Sequence, residues 1–457
     1  MSRTLTADRS RLPQPGPPRP FAFPPVEKST LPNGLRVWTV QHTQVPLVSF
    51  VLVIGRGASA DPSGQEGLAA ITADMLDEGS GERSAIQMHE RIALLGAQFD
   101  TDMGADAMAV SVSVLSRFAD RALEIVGDIV VRPALREADF ERVRQLRLHR
   151  LKQLRDSPAA VADRSFLRLL YGDDPYGHTP IGNERALASI DVQQVRAFHA
   201  RTLVPSVSTL IAIGDCDHAS IVRMAAETLG GWSGPDDDAA LPPMPHSAGS
   251  RLAVIPRPNA PQSELRIGQI AAARHTPDYH ALGVANAILG GQFVSRINLN
   301  LRERRGFTYG ARTAFEFRRR PGPFVLQASV QTAATAEAIR ESLDEIAGIR
   351  GPRPVTAEEL SFGIAALTRG YARNFETADQ IARAVMQLAV YDLPDDHYAE
   401  FVPRVEAITR DEVSRVMTDY LDPAGLTTLV VGDLNTFGPE LARAGFAEPL
   451  VLSADTF

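Results

Sequence analysis

Between Leu289 and Gly310 the chain reads LGGQFVSRINLNLRERRGFTYG, which sets Arg296, Arg302, Arg304 and Arg305 ahead of Tyr309. A guanidinium presents a rigid fork of donors that suits carboxylates and carbonyl oxygens. A tyrosine hydroxyl can hydrogen-bond an oxygen that gains charge during a reaction. Together they can grip a peptide backbone. The same residues also fit a solvated helix face followed by a half-buried strand tyrosine, and the stretch alone leaves both readings open.

The elements that must position these residues repeat along the chain. Prolines from Pro13 to Pro25 make residues 1–29 an extended arm. From Thr30, a Pro32-Asn33-Gly34 turn leads into strands Leu35–Val40 and Leu47–Ile54, expected as antiparallel neighbours. After the Asp61-Pro62-Ser63-Gly64 loop, Leu68, Ile71, Met75 and Leu76 share one helical face, with Gly79 as the expected C-cap. Helices over 85–95, 119–130, 137–154 and 190–202 and strands over 98–100, 107–114 and 208–214 complete a half spanning residues 30–230. The PDDD and PPMP stretches within residues 231–250 read as a linker.

Element order then restarts. RLAVIPRPNAPQSELRIGQIA echoes the opening strands, and a helix over 278–289 takes the place of the first buried helix. Helices over 334–348, 357–376, 378–391 and 410–420 and a strand over 426–432 follow, completing a second half over residues 251–457. The fold class expected is α+β, two duplicated halves each built on a mostly antiparallel sheet packed with helices. The absence of βαβ alternation argues against a doubly wound parallel sheet.

Composition narrows the function classes. The 457 residues are 44% hydrophobic and 22% charged, an ordinary globular balance with material for a large core. A formal net charge of -8 argues against nucleic acid as partner. All but Lys28 and Lys152 of the 47 basic residues are arginine, so arginine position carries more information than arginine number. The single Cys216 rules out an internal disulfide. No apolar run approaches the roughly 20 residues of a membrane helix, and no apolar leader core is seen, so no membrane partner is expected and the cytoplasm is the expected location.

The lettering of the first buried helix resembles the pitrilysin/insulinase family of zinc metallopeptidases, including its mitochondrial processing peptidase branch. In that family the helix carries H-x-x-E-H, two zinc-ligating histidines one turn apart and a glutamate general base. Here those slots hold Ala70, Ala73 and Asp74, while Gly67, Leu68, Met75, Leu76, Gly79 and Ser80 keep the framework. The family's third ligand is a glutamate on a later helix. The matching run is Arg147–Leu151, with His149 and Arg150 in the glutamate positions and Asp156 and Pro158 keeping the turn. His149 can ligate a metal in principle, with Asp74, and equally reads as a helix-surface residue. The other histidines show no pair at i, i+4, and His178, in the loop YGDDPYGHTPIG, reads as structural.

The opening stretch resembles the family's C-terminal signature. Gly290, Gly291, Ser295, Arg296, Leu301, Arg302, Glu303, Arg305, Gly306, Phe307 and Tyr309 match, with Arg302 and Tyr309 seven positions apart as in the family's substrate-binding pair. Softer resemblance runs from about Thr30 to about Leu434. The resemblance implies the non-zinc subunit of a heterodimeric zinc peptidase, inactive alone. It would hold no cofactor itself, with zinc expected in an H-x-x-E-H-bearing partner. Arg302 and Tyr309 would grip unfolded peptide substrates that bind as an added strand. The alternative is a non-catalytic scaffold akin to core subunits of respiratory complexes. Arg312, Arg318, Arg319 and Arg320 either bias the site toward acidic peptides or form a solvated turn before Pro321-Gly322, the second being favoured.

Overall fold

A computed structural model describes Ser10, residues 21–235 and residues 251–453. Most of the expected arm and linker lie outside the described residues. In the first half the strands are β1 (Glu27–Thr30), β2 (Arg36–Gln41), β3 (Leu47–Ile54), β4 (Gly79–Ser80), β5 (Arg83–Ser84), β6 (Gln98–Met103), β7 (Met108–Leu115) and β8 (Ser208–Gly214). In the second they are β9 (Arg251–Pro256), β10 (Gln262–Ile270), β11 (Thr308–Phe315), β12 (Pro323–Gln331), β13 (Thr427–Gly432) and β14 (Leu450–Val451). Apart from the small β4-β5 ribbon they form two six-stranded sheets, ordered β1-β2-β8-β3-β7-β6 and β11-β12-β10-β13-β9-β14. Most pairings are antiparallel, as expected.

The duplication is visible in these orders. The run β2-β8-β3-β7-β6 recurs as β9-β13-β10-β12-β11, strand for strand in chain position. One expectation fails in both halves. β2 and β3 are not neighbours, because β8 lies between them, parallel to β2 and antiparallel to β3. The reason is legible in β8 itself: STLIAIG has no polar alternation and is buried at every position, the mark of a central strand covered on both faces. The folded part also starts earlier than Thr30, since Glu27–Thr30 pairs with β2 as an edge strand.

The halves interlock. The Pro158–Tyr171 helix of the first half packs on β10 and β13, and the Ala378–Tyr391 helix of the second half packs on β3 and β8. Val385 and Leu388 are fully buried against Ile211, Ile213 and Val53, while Phe166 and Tyr171 pack among Ile255, Leu429 and Val431. At roughly 1.5–3 kcal/mol per buried large apolar side chain, each exchanged helix ties one sheet to the other half.

A polar contact joins the halves beside this exchange and corrects the solvated-turn reading of the arginines before Pro321. Buried Asp106 accepts from the hydroxyls of Tyr176 and Tyr391 and from the Arg319 amide. Arg319 donates to the carbonyls of Gly55 at 2.8 Å and Val390 at 3.2 Å, and Arg320 reaches Asp174 at 2.5 Å. Arg318 lies over the Tyr176 ring at 5.0 Å. Backbone carbonyls and a buried carboxylate at the junction need donors, and the turn supplies them.

Two helices differ from expectation near the site. The helix expected over 357–376 ends at Thr368, because Gly370 takes φ 82, and resumes only as a 3-10 turn over Tyr371–Phe375. The helix expected over 278–289 is α-helical over Tyr279–Asn286 and widens to π geometry over Ala287–Gly291. Finally, Leu68–Asp74 closes at Met75 rather than reaching Gly79, which opens β4 instead.

Candidate functional site

The π-helical end of the second half's central helix runs against edge strand β11. A Cβ on Gly290 would lie 2.6 Å from the Thr313 hydroxyl, and one on Gly291 would lie 2.6 Å from the Asn286 amide nitrogen. The glycine pair is therefore what lets this turn approach the strand. The chain then passes through Phe293 and Ser295 into a second π-type turn, Leu299–Arg304, that carries Arg302.

β11 bears a bulge. Thr308 pairs with Val330 but Ala311 pairs with Ala328, so one extra residue lies between them. The insertion resets the alternation: Thr308, Ala311 and Thr313 are buried, while Tyr309 and Arg312 are exposed. The Thr308 hydroxyl pins the bulge, donating to the Ser329 carbonyl at 2.6 Å and accepting from the Gly310 amide at 3.1 Å. On the far side, the Asn298 side chain pairs with Ala311 like a short strand, accepting from its N–H at 2.9 Å and donating to its C=O at 2.6 Å. Tyr309, 92% exposed, projects from a bulge clamped at both ends. The half-buried strand tyrosine of the bland reading is not what forms.

The arginines separate by role. Arg296 makes a two-pronged pair with Glu359, both contacts at 2.7 Å, and Arg305 bridges Glu337 at 2.9 Å and Glu341 at 2.5 Å. These two fasten the turn. Arg302 instead lies over the Phe293 ring, 3.9 Å from its centroid, with Nη1 3.2 Å from the Glu303 carboxylate. That Nη1 is shielded from water and makes no aligned hydrogen bond, leaving the Glu303 ion pair as its close polar contact. Phe293, on which Arg302 rests, and Gly310, next in the chain to Tyr309, both line a cavity of about 540 Å³.

In the first half, the Leu68–Asp74 helix is well built and chemically empty. The Asp61 carboxylate caps it, accepting from the amides of Gly67 at 2.7 Å and Ala69 at 2.6 Å, and His178 holds Asp61 at 3.1 Å. That accounts for His178 as structural. Ala70 and Ala73 are buried at 4% and 3% exposure. Asp74 pairs with Arg147 at 2.5 Å, and Arg147 also donates to the Pro180 carbonyl at 3.1 Å.

The possible Asp74/His149 pairing is therefore not formed. Arg147 takes the place facing Asp74, His149 is exposed, and exposed Arg150 borders a cavity of about 450 Å³ beside Asp74. Arg147 and Arg150, three apart, share a helix face that His149 cannot share with Arg147. These residues do not fit zinc: two alanines supply no donor atom, and a guanidinium neutralises the one carboxylate. Among the described residues no group of three His, Cys, Asp or Glu side chains is placed to hold a metal ion. Sequence reasoning missed Arg147, Phe293, Asn298 and Thr308. Only Arg147 had an available signal, its one-turn offset from Arg150.

Two sheets with one repeated strand order, a first-half helix carrying alanine at 70 and 73, and Arg302 and Tyr309 at the equivalent edge of the second sheet are the features of a metallopeptidase-type fold. The chain belongs to the peptidase M16 (insulinase) family. Residues 36–183 match the family model described as insulinase (peptidase family M16), and residues 189–367 match the one described as the peptidase M16 inactive domain. An uncharacterized zinc protease of Streptomyces coelicolor is 22% identical over 402 residues, 87% of each chain. The crystal structure of a peptidase M16 inactive domain from Pseudomonas fluorescens superposes with a TM-score of 0.83 at 23% identity, covering 89% of this chain and 98% of that one. Subunit 1 of the mitochondrial cytochrome b-c1 complex of Bos taurus is 24% identical over 273 residues, 59% of this chain and 56% of that protein. Among the described residues no helix is long and apolar enough to cross a membrane.

Proposed function

We propose that this chain is the non-zinc subunit of a heterodimeric zinc peptidase, presenting Arg302 and Tyr309 to a peptide cleaved at the zinc of an H-x-x-E-H-bearing partner. The observation that carries this reading is the contrast in side-chain satisfaction. Arg302 pairs with its neighbour Glu303 but makes no aligned hydrogen bond through its shielded Nη1, and Tyr309 stands 92% exposed on a clamped bulge, whereas Asp74 is already neutralised by Arg147. Arg302 would donate to a substrate carbonyl or carboxylate, and Tyr309 to the backbone near the cut, where charge develops on the carbonyl oxygen. Unfolded peptides suit such a site because backbone groups, not a folded surface, supply the contacts. The chain holds no proton-transferring carboxylate at the alanine positions, so it is expected to be inactive alone.

The test is to assay cleavage of an unstructured peptide by the chain alone and mixed with a zinc-bearing family member. Activity on mixing only is the expected result. Activity of the chain alone, lost on chelation, would overturn the proposal in favour of a solitary enzyme. The similarity to a cytochrome b-c1 subunit favours a second reading, a non-catalytic scaffold. It would be supported by turnover that is unaltered when Arg302 or Tyr309 is replaced.

A further inference from the structure

We propose that the cavity beside Arg302 and Tyr309 is a specificity pocket that selects an acidic side chain of the bound peptide, with Arg312 as the selecting charge. This deepens the peptide-binding reading above and rests on it. The cavity, about 540 Å³, is ample for one glutamate side chain and is lined by Phe293 and Gly310 together with the polar residues Glu264, Arg266, Arg312 and Gln327.

The charges on that floor are not equivalent. Arg266 is buried to 4% side-chain exposure and is spoken for twice, by Asp163 at 2.6 Å and by Glu264 at 3.1 Å. Glu264 is engaged on both oxygens, since its other oxygen accepts from the Ser329 hydroxyl. Arg312 has no such acid. Its Nε and Nη2 both donate to the Gln327 amide oxygen, at 2.9 and 2.6 Å. A neutral amide fixes the guanidinium without cancelling its charge, and Nη1 is left for a ligand.

Position agrees with chemistry. The bulge in β11 turns Tyr309 and Arg312 to the exposed side of the strand together. A backbone held by Arg302 and Tyr309 therefore runs past Arg312, and the side chain entering the cavity meets a fixed positive charge. Arg319 and Arg320 do not serve this role, because they are bonded across the junction of the halves, and Arg318 is paired with Glu316 and lies over Tyr176.

The experiment measures fluorescence anisotropy of labelled, unstructured peptides identical except for one central Glu, Gln or Lys, titrated with the full chain. The Glu peptide should bind roughly fivefold more tightly than the Lys peptide, the worth of one exposed ion pair. Arg312→Glu should reverse that order and Arg312→Gln should bring Glu and Gln level, while Arg302→Ala should weaken all three by one common factor. An order that is absent in the natural chain, or that survives Arg312→Glu, overturns the pocket assignment alone. No binding of any peptide overturns both the pocket and the reading beneath it. If Arg312→Glu reverses the order while Arg302→Ala changes nothing, the pocket stands and the role of Arg302 falls.

Discussion

β6 with the Leu68–Asp74 helix and β11 with the Tyr279–Gly291 helix occupy equivalent corners of two sheets that share one strand order. They have opposite chemical fates. In the first corner the carboxylates are engaged structurally: Asp61 caps the helix, His178 holds Asp61, and Arg147 neutralises Asp74. In the second, Arg296, Arg305, Asn298 and Thr308 fasten the turn and the bulge, while Arg302 rests on Phe293 beside its neighbour Glu303 and Tyr309 projects into solvent. Stability and function are distinguished by where unspent hydrogen-bonding capacity remains, not by how many charged residues are present.

The sharpest way to break the comparison is to remove the second corner's donors in the assembled peptidase. Arg302→Ala or Tyr309→Phe should lower turnover about 10²- to 10³-fold, the usual consequence of deleting one transition-state donor, with unaltered partner affinity by titration. Equal turnover would make the two corners equivalent and both structural. A second test targets what holds the corners in one frame. Leu388, from the second half, is fully buried against the first sheet. Leu388→Ala should cost about 2–5 kcal/mol in denaturant unfolding, and the first sheet should lose protection even though the mutation lies in the other half.

Much of this contrast was legible in the chain. The alanines at 70 and 73 are absolute statements, because no rotamer gives alanine a metal-binding atom. The duplication was legible as repeated element order. What was hidden was non-local. The insertion of β8 between β2 and β3 depends on a pairing across most of a half, although the unbroken apolar run of β8 hinted at a central place. The exchange of the Pro158–Tyr171 and Ala378–Tyr391 helices left no local mark, since an amphipathic helix does not state which sheet it covers. The burial of Arg319 and Arg320 was likewise invisible, because a basic run before Pro-Gly looks the same whether it meets water or backbone carbonyls.

Acid offers a milder way to separate the corners. His280 and His397 flank the second corner's helix, with ring centroids 6.2 Å apart among Tyr279 and Phe401. Burial first, then the charges of Arg404 and Arg274, hold His280 at about 4. Burial, then Arg274, His280 and Arg404, does the same for His397. Arg274 donates to His397 Nε2 at 2.8 Å, which requires a neutral ring. Because the folded values lie below the ordinary 6.5, the unfolded chain binds more protons between them. Stability should be full above pH 6.5, fall toward pH 4 and level off below, by roughly 1–2 kcal/mol after solvent screening. Hydrogen exchange should show the second half loosening first, since the corresponding start of the first helix is Leu68-Ala69. His280→Phe should flatten the profile.

The smallest effect is the most discriminating. Arg147 is 12% exposed and pairs with Asp74, itself 41% exposed, so Arg147→Ala should destabilise the chain by only about 1 kcal/mol and leave turnover of the assembled peptidase unchanged. Arg302→Ala should do the reverse, losing turnover with little change in unfolding midpoint, because its guanidinium rests on exposed Phe293 beside Glu303 rather than closing a buried pair. Each substitution removes one arginine from the same corner of a duplicated sheet, so the two differ chiefly in setting: Arg147 reaches Asp74 on another helix, whereas Arg302 pairs with its chain neighbour Glu303 and stacks on Phe293. If Arg147→Ala also depressed turnover without loosening the fold, the first corner would be touching substrate. The Asp74–Arg147 pair would then have to be counted as part of the peptide-binding surface rather than as a structural ion pair.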